Sequence, residues 1–98
     1  MTPNSPDLDI QNNKEKSQYE TTIDGAVALA AYELEPGDRI VFTHTIVPDQ
    51  LSGRGIAQSL AKHALDDARA RKLTVVPQCA FIAAYIKRHP EYEDLLQK

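Results

Sequence analysis

The sequence predicts a mixed α/β (α+β) domain in which an antiparallel three-strand meander is followed by a βαβ crossover and one or two short C-terminal helices. Three observations predict this fold class. Short β-type runs separated by turn residues fill residues 19–47, a long apolar pattern with helical spacing starts at Ile56, and residues 73–76 form another β-type run. A chain of 98 residues accommodates one such domain.

The N-terminal segment differs in composition from the rest of the chain. Residues 1–16 are rich in Pro, Asn, Asp, Ser and Lys and contain few large apolar residues. Such a segment buries too little apolar surface to offset the entropy of ordering it. We therefore expect a disordered tail over residues 1–16 and a folded domain over residues 17–98.

The first two predicted strands form a hairpin. Apolar and polar residues alternate over residues 19–23, and the following Asp24-Gly25 pair suits a tight turn that needs positive φ. The alanines of Ala26–Glu35 favour a helix by propensity. The turn signals at both ends, of which the second is residues 36–38, favour a strand instead.

The third predicted strand, residues 39–47, is the richest in β-branched residues, and Pro48 ends it. The two-residue period of a strand predicts that one face carries Ile40, Phe42, His44 and Ile46. On that face His44 is expected to be a half-buried imidazole with one hydrogen bond, and a direct functional role is the alternative.

The long helix and the fourth strand complete a βαβ unit. An amphipathic helix of about 16 to 18 residues is predicted, because apolar residues recur every fourth position. These are Ile56, Leu60, Ala64 and Ala68. Residues 73–76 then form a strand parallel to the third, reached by a right-handed crossover. After it, Ala80–Arg88 reads as a shorter helix, and Pro90 stops this helix and starts a last helical stretch.

Composition limits the partners and the compartment that we expect. The formal net charge of −3 and the pI near 5.5 argue against nucleic acid and anionic membranes as partners, since both attract an excess of Lys and Arg. No apolar run approaches the roughly 20 residues of a membrane span, and no targeting pattern is evident, so we expect a cytoplasmic protein. One cysteine and three histidines without ligand spacing predict no disulfide and no metal site.

The most informative segment joins the third strand to the long helix and reads Gln50-Leu51-Ser52-Gly53-Arg54-Gly55-Ile56-Ala57. Glycines let a backbone approach an anion closely, and a helix N-terminus adds free N–H donors and partial positive charge. Arg54 is placed to add a charge-assisted hydrogen bond. The segment predicts a phosphate-binding loop, and an ordinary strand-to-helix turn is the alternative.

Two common phosphate-binding patterns do not fit this loop. A Walker loop requires Lys and then Ser or Thr after its last glycine, where Ile56 and Ala57 stand. A dinucleotide fingerprint requires a third small residue, where Gln58 stands. It also requires an acidic residue near the end of the next strand, where Val75 and Val76 stand.

Gln50, Gly53 and Gly55 fit the pattern of Gln or Arg, two residues, Gly, any residue, then Gly or Ala. This pattern resembles the pyrophosphate-binding loop of the GNAT acetyltransferases, which hold coenzyme A. Over residues 17–96 the chain is similar to the small single-domain, YjdJ-type branch of that family. The similarity rests on four motifs in order, THTIVP at 43–48, GRGIA at 53–57, VPQCAFI at 76–82 and RHPEY at 88–92.

The resemblance implies a GNAT-like sheet whose strands splay around the pantetheine arm of acetyl-coenzyme A, with the pyrophosphate on the glycine loop. The residues it implies as cofactor contacts are Thr45, Ile46, Val47, Gln50, Gly53, Arg54, Gly55, Ile56 and Ala57. It also implies Cys79 as a catalytic residue.

Position alone also draws attention to Cys79, which falls between the fourth strand and the following helix. Ligands bind at the carboxyl ends of strands in α/β sheets, and a helix N-terminus favours the thiolate. The alternative is a small buried apolar residue, the commonest fate of a free cysteine. Of the other histidines, His63 is expected to be solvated and His89 to have a structural role.

We therefore expect an acetyl-coenzyme A-dependent N-acetyltransferase that acts on an unidentified amine, either a small molecule or a protein. In a direct route His44 is the candidate base for the amine. In a covalent route Cys79 attacks the thioester and carries the acetyl group. The alternatives to an enzyme are a non-catalytic module that binds or senses coenzyme A, and a protein-interaction adaptor whose loop holds no ligand.

Overall fold

The computed structural model describes residues 9–96. One five-stranded sheet has the order β1-β2-β3-β4-β5, in which the first four strands are antiparallel neighbours and β4 pairs in parallel with β5. This arrangement confirms the predicted fold class. The elements are β1 (Gln11–Asn13), β2 (Gln18–Ile23), β3 (Ala26–Glu35), β4 (Arg39–Ile46), α1 (Ile56–Ala70), β5 (Thr74–Pro77) and α2 (Ala80–Arg88), with 3₁₀ helices at Asp49–Leu51 and Pro90–Leu95.

Strand β1 lies within the segment that the sequence predicts to be disordered. That prediction is wrong for Gln11–Asn13, which pairs with β2. The residues of this edge strand are polar. Hydrogen bonds, instead of apolar burial, stabilise its position in the sheet. The hydroxyl of Tyr32 donates to Asn12 Oδ1 (2.6 Å), and the side-chain amide of Asn13 donates to Glu20. Residues 1–8 of the predicted tail lie outside the described residues.

Helix α1 packs on one face of the sheet through small residues. Ala61, Ala64 and Ala68 are fully buried, and β3 contributes Ala28 and Ala30 to the same core. Alanines on both sides let the helix axis approach the sheet closely, which suits a chain with few bulky side chains. The helix has 15 residues, slightly fewer than the sequence pattern predicted.

Two buried tyrosines fix α1 to the elements around it. The hydroxyl of Tyr19 on β2 donates to Asp67 Oδ2 (2.5 Å), and the hydroxyl of Tyr92 in the C-terminal 3₁₀ helix donates to Asp66 Oδ1 (2.7 Å). Burial and these hydrogen bonds raise the pKa of both tyrosines above the usual range of a phenol. Both hydroxyls therefore stay protonated and keep donating these hydrogen bonds at neutral and mildly alkaline pH.

A β-bulge in β4 changes which residues face the helices. Ala31 of β3 lies opposite His44, but Tyr32, the next residue, lies opposite Phe42, so Thr43 is an extra residue on β4. The predicted placement of His44 on one face with Phe42 is therefore wrong. Beyond the bulge the inside and outside positions exchange, and the imidazole of His44 is exposed.

The face of the sheet that points away from the helices stays partly open. Along β3, Ala28, Ala30 and Tyr32 are buried, whereas Leu29 and Ala31 between them are only half-buried. The exposed side chain of His44 lies on this open face, because His44 pairs with Ala31. Among the described residues, no helix is long and apolar enough to cross a membrane.

The close approach of α1 to the sheet predicts that Ala64→Leu destabilises the fold. The added side chain has no space at a fully buried position, and overpacking of this kind costs about 1–3 kcal/mol of unfolding free energy. Urea unfolding measures the loss. Ala70→Leu, at an exposed position of the same helix, is the matched control and should change stability little. Equal midpoints for the two variants would contradict the close packing.

Candidate functional site

Strands β4 and β5 separate close to the end of β5. Their parallel pairing ends where Phe42 lies opposite Pro77, and the amide of Cys79 then donates to the carbonyl oxygen of Phe42 (2.8 Å). Residues 44–46 of β4 still pair with β3 on one side. On their other side no strand pairs with them in the described part of the chain. Since backbone N–H and C=O groups need partners, this free edge of β4 is ready to bind an extended ligand.

The glycine loop lies at the end of this free edge. Leu51 is buried and anchors the loop, and Gly53 and Gly55 follow it with φ of 81° and 74°. Gly55 is the N-cap of α1 and has no side chain to offer, and the first turn of the helix contains no acidic residue. The first amides of α1 are therefore without a side-chain cap, which is the arrangement that binds anions at helix N-termini.

Arg54 projects from this loop, and its guanidinium lies near the β2–β3 turn. Its Nη1 is 3.6 Å from Oδ2 of Asp24, and both side chains are largely exposed. An exposed ion pair of this length contributes little to stability. It does keep the positive charge of Arg54 beside the loop, where an anionic ligand would compete with Asp24 for it.

The remaining cofactor residues implied by the resemblance form two groups, of which the first lies on either side of the glycines. Ile56 is buried in the core, so only its backbone can meet a ligand, and Ala57 is half-buried. Gln50 is exposed in the first 3₁₀ helix. The other group lies on or just after the free edge of β4 and comprises Thr45, Ile46 and Val47.

Cys79 lies where β4 and β5 separate. It lies between the strand and the helix, as the sequence predicts, where it is the N-cap of α2, and its side chain is buried beside β4. The sulfur is 3.3 Å from Oγ1 of Thr45. A thiol held at this fork, between a strand end and a helix start, borders the space that a ligand along the edge of β4 would occupy.

His44 lies on the other side of the strand from this thiol. Thr45 turns its side chain toward Cys79, so its neighbour His44 points to the open face, where Nδ1 lies 3.2 Å from Oγ1 of Thr43. The structure therefore places a hydroxyl beside the Cys79 sulfur and leaves the imidazole on the opposite side of β4. The two candidate catalytic residues flank one strand without meeting across it.

The other histidines have structural surroundings. His63 is exposed on α1 and has an edge contact with the ring of Tyr19. His89 stacks on Tyr85 at 4.0 Å between ring centroids, and its Nδ1 lies 3.0 Å from the carbonyl oxygen of that residue. Within residues 9–96, no three His, Cys, Asp or Glu side chains form a group that could hold a metal ion.

Sequence reasoning missed three features of the site. The sequence predicts only a turn at Asp24, whereas its contact with Arg54 joins residues far apart in the chain. The contact of Thr45 with Cys79 and the bulge at Thr43 are likewise products of the tertiary arrangement. No local pattern marks a bulge in a run of β-branched residues, so the sequence carried no signal for it.

A sequence profile of the GCN5-related N-acetyltransferases matches residues 18–95. Among curated proteins, Protein NATD1 of Mus musculus is 37% identical over 93 residues, covering 90% of this chain and 84% of its own length. Protein NATD1 of Homo sapiens is also 37% identical and covers 90% of this chain and 81% of itself. Protein NATD1 of Xenopus tropicalis is 32% identical, with 99% and 92% covered.

Among solved structures, the NMR solution structure of a GCN5-like protein from Staphylococcus aureus superposes with a TM-score of 0.72. It is 25% identical in sequence, and the match covers 92% of this chain and 88% of that one. The profile spans the chain from β2 to the last 3₁₀ helix, and the relatives match nearly its whole length. The chain therefore belongs to the GCN5-related N-acetyltransferase family.

Proposed function

We propose that the chain binds acetyl-coenzyme A and transfers the acetyl group to an amine. The observation that carries the proposal is the free edge of β4, which runs between the glycine loop and the fork at Cys79. Family membership supports the same reaction, because the family is named for it. A substrate screen distinguishes a small-molecule amine from a protein side chain as the acceptor.

The glycine loop is the proposed site of the pyrophosphate. Backbone amides from Gly53 to Ala57 supply donors, and the dipole of α1 adds partial positive charge at the same place. Arg54 adds a full charge once an anion displaces Asp24 from it. The pantetheine arm would follow the edge of β4 at Thr45 to Val47 and pair its amides with the strand, as an added strand would.

In the direct route, the amine nitrogen attacks the thioester carbonyl carbon. A C–N bond replaces the C–S bond, and coenzyme A leaves as a thiolate that takes a proton from solvent. His44 accepts the proton that the amine loses and returns it to solvent. The exposed imidazole on the open face leaves room for an amine to reach the carbonyl from that side.

In the covalent route, the sulfur of Cys79 attacks the same carbonyl and becomes an S-acetyl group while coenzyme A leaves as its thiol. An amine then takes the acetyl group and the cysteine thiol is restored. This exchange of one thioester for another is nearly isoenergetic. The attack needs a base beside the sulfur, whereas the hydroxyl of Thr45, which lies 3.3 Å from Sγ, is not a base at neutral pH.

The geometry favours the direct route, since the side chain of His44 points to the open face, away from Cys79, and is not placed to activate the thiol. In this proposal Cys79 borders the thioester and His44 is the base. The covalent route remains the second candidate because of the position of the thiol at the fork.

Substitution of each candidate separates the routes. With acetyl-coenzyme A and either spermidine or a lysine-containing peptide as acceptor, His44→Gln should reduce the rate of thioester loss about 100-fold, because a positioned base contributes at least that much. Cys79→Ala should keep most of the rate. His63→Gln, on the exposed side of α1, is the matched control and should leave the rate unchanged.

Intact-mass analysis without acceptor completes this test. An acetyl group on Cys79 that an added amine then removes would establish the covalent route and overturn the direct one. Binding of acetyl-coenzyme A with no transfer to either acceptor would favour the non-catalytic binding module. No binding at all would leave only the protein-interaction adaptor.

The ion pair in the loop predicts opposite changes in affinity for coenzyme A. Arg54→Gln should weaken binding about tenfold, because one charge-assisted hydrogen bond is lost. Asp24→Asn should strengthen it about twofold, because the competing carboxylate is removed while the positive φ of 52° is still tolerated. Isothermal titration calorimetry measures both.

Pantetheine, which lacks the phosphates, is the control ligand and should bind all variants equally. Arg88→Gln, at an exposed position of α2, is the control variant. If Arg54→Gln weakened the binding of pantetheine as much as the binding of coenzyme A, the arginine would not act on the phosphates.

A further inference from the structure

The bulge in β4 brings the side chains of two consecutive residues together. In a regular strand, Thr43 and His44 would point to opposite faces of the sheet. Here Thr43 is the extra residue of the bulge, and its hydroxyl reaches both the imidazole of His44 and the backbone of β3. We propose that Thr43 is a positioning residue that fixes the tautomer of His44, with the hydrogen on Nδ1 and a bare lone pair on Nε2.

Hydrogen-bond inventory leads to this assignment. A threonine hydroxyl has one hydrogen to donate, and a backbone carbonyl oxygen can only accept. Oγ1 of Thr43 lies 3.4 Å from the carbonyl oxygen of Ala31, and both of its contacts are hydrogen bonds at once only if the hydroxyl hydrogen points to that oxygen. Toward His44, Oγ1 then offers only lone pairs, and Nδ1 at 3.2 Å must supply the hydrogen.

The tautomer follows, because a neutral imidazole carries one N–H. If that hydrogen is on Nδ1, Nε2 is an acceptor and can take a proton. An unconstrained histidine in water prefers the opposite tautomer, with the hydrogen on Nε2, in which the far nitrogen is unable to accept. The contact with Thr43 therefore turns the outer nitrogen of an exposed imidazole into the basic one.

The consequence for catalysis rests on the function proposed for His44 above. The base nitrogen must face the space where the amine loses its proton. In this arrangement Nδ1 is used by Thr43, while Nε2 lies on the open face and has no hydrogen-bond partner within residues 9–96. Thr43 itself touches no reacting atom. Its half-buried hydroxyl holds the base in the correct protonation pattern before substrate arrives.

Nitrogen-15 NMR of the histidine side chains tests the assignment in the free protein. Long-range proton–nitrogen correlations, recorded where the imidazoles are neutral, distinguish the two tautomers. We expect the Nδ1–H form for His44 in the wild type and in Thr43→Ser, and a return to the Nε2–H form in Thr43→Val, which keeps the shape and loses the hydroxyl. His63 is a control in the same spectra and should not change.

Rates of acetyl transfer to spermidine or the lysine-containing peptide form the second part. Thr43→Val should lower kcat about tenfold without changing the KM for acetyl-coenzyme A. Thr43→Ser, which keeps the hydroxyl, should have the kcat of the wild type. The proposal would be overturned if His44 of the wild-type protein were in the Nε2–H form, or if Thr43→Val left the tautomer of His44 unchanged. Full activity of Thr43→Val with an altered tautomer would overturn its catalytic part. If the wild type transfers no acetyl group, the proposed function fails, and the NMR result alone decides the tautomer.

Discussion

The site depends on one constraint, which is that β5 follows β4 only as far as Phe42 and Pro77. Proline cannot continue a hydrogen-bonded ladder, and the chain turns there into α2. The next stretch of β4 keeps β3 on one side and has a free edge on the other. The same turn delivers Cys79 to the fork, so one local event creates both the space and the residue that borders it.

The second requirement is that the N-terminus of α1 meets the end of this free edge. Small residues such as Ala64 let the helix lie close to the sheet, and two tyrosine hydroxyls bonded to Asp66 and Asp67 hold its C-terminal half. With the helix fixed in this way, Gly53 and Gly55 are free to adopt positive φ and to expose backbone amides. Packing at one end of α1 thus orients the proposed anion site at the other.

Sequence patterns predicted most of the fold, because strand alternation, the glycine loop and helical spacing are local properties. The features they missed depend on tertiary contacts. Gln11–Asn13 is polar and becomes a strand only because β2 and the hydroxyl of Tyr32 receive it. The bulge at Thr43 reverses the predicted face of His44, since one extra residue exchanges inside and outside. The residues of the glycine loop and Cys79 were found at the positions expected, whereas the pairing of Arg54 with Asp24 required the fold.

Amide chemical-shift mapping tests the central claim, that coenzyme A lies along the free edge of β4 with its pyrophosphate at the start of α1. Titration with coenzyme A should shift the amides of Gly53, Gly55 and Ile56 together with those of residues 45–47. Titration with pantetheine should shift residues 45–47 and spare the loop. Shifts centred elsewhere, for example on the small polar cavity lined by Asp9 and Glu20, or no shifts in the loop with coenzyme A, would contradict the account.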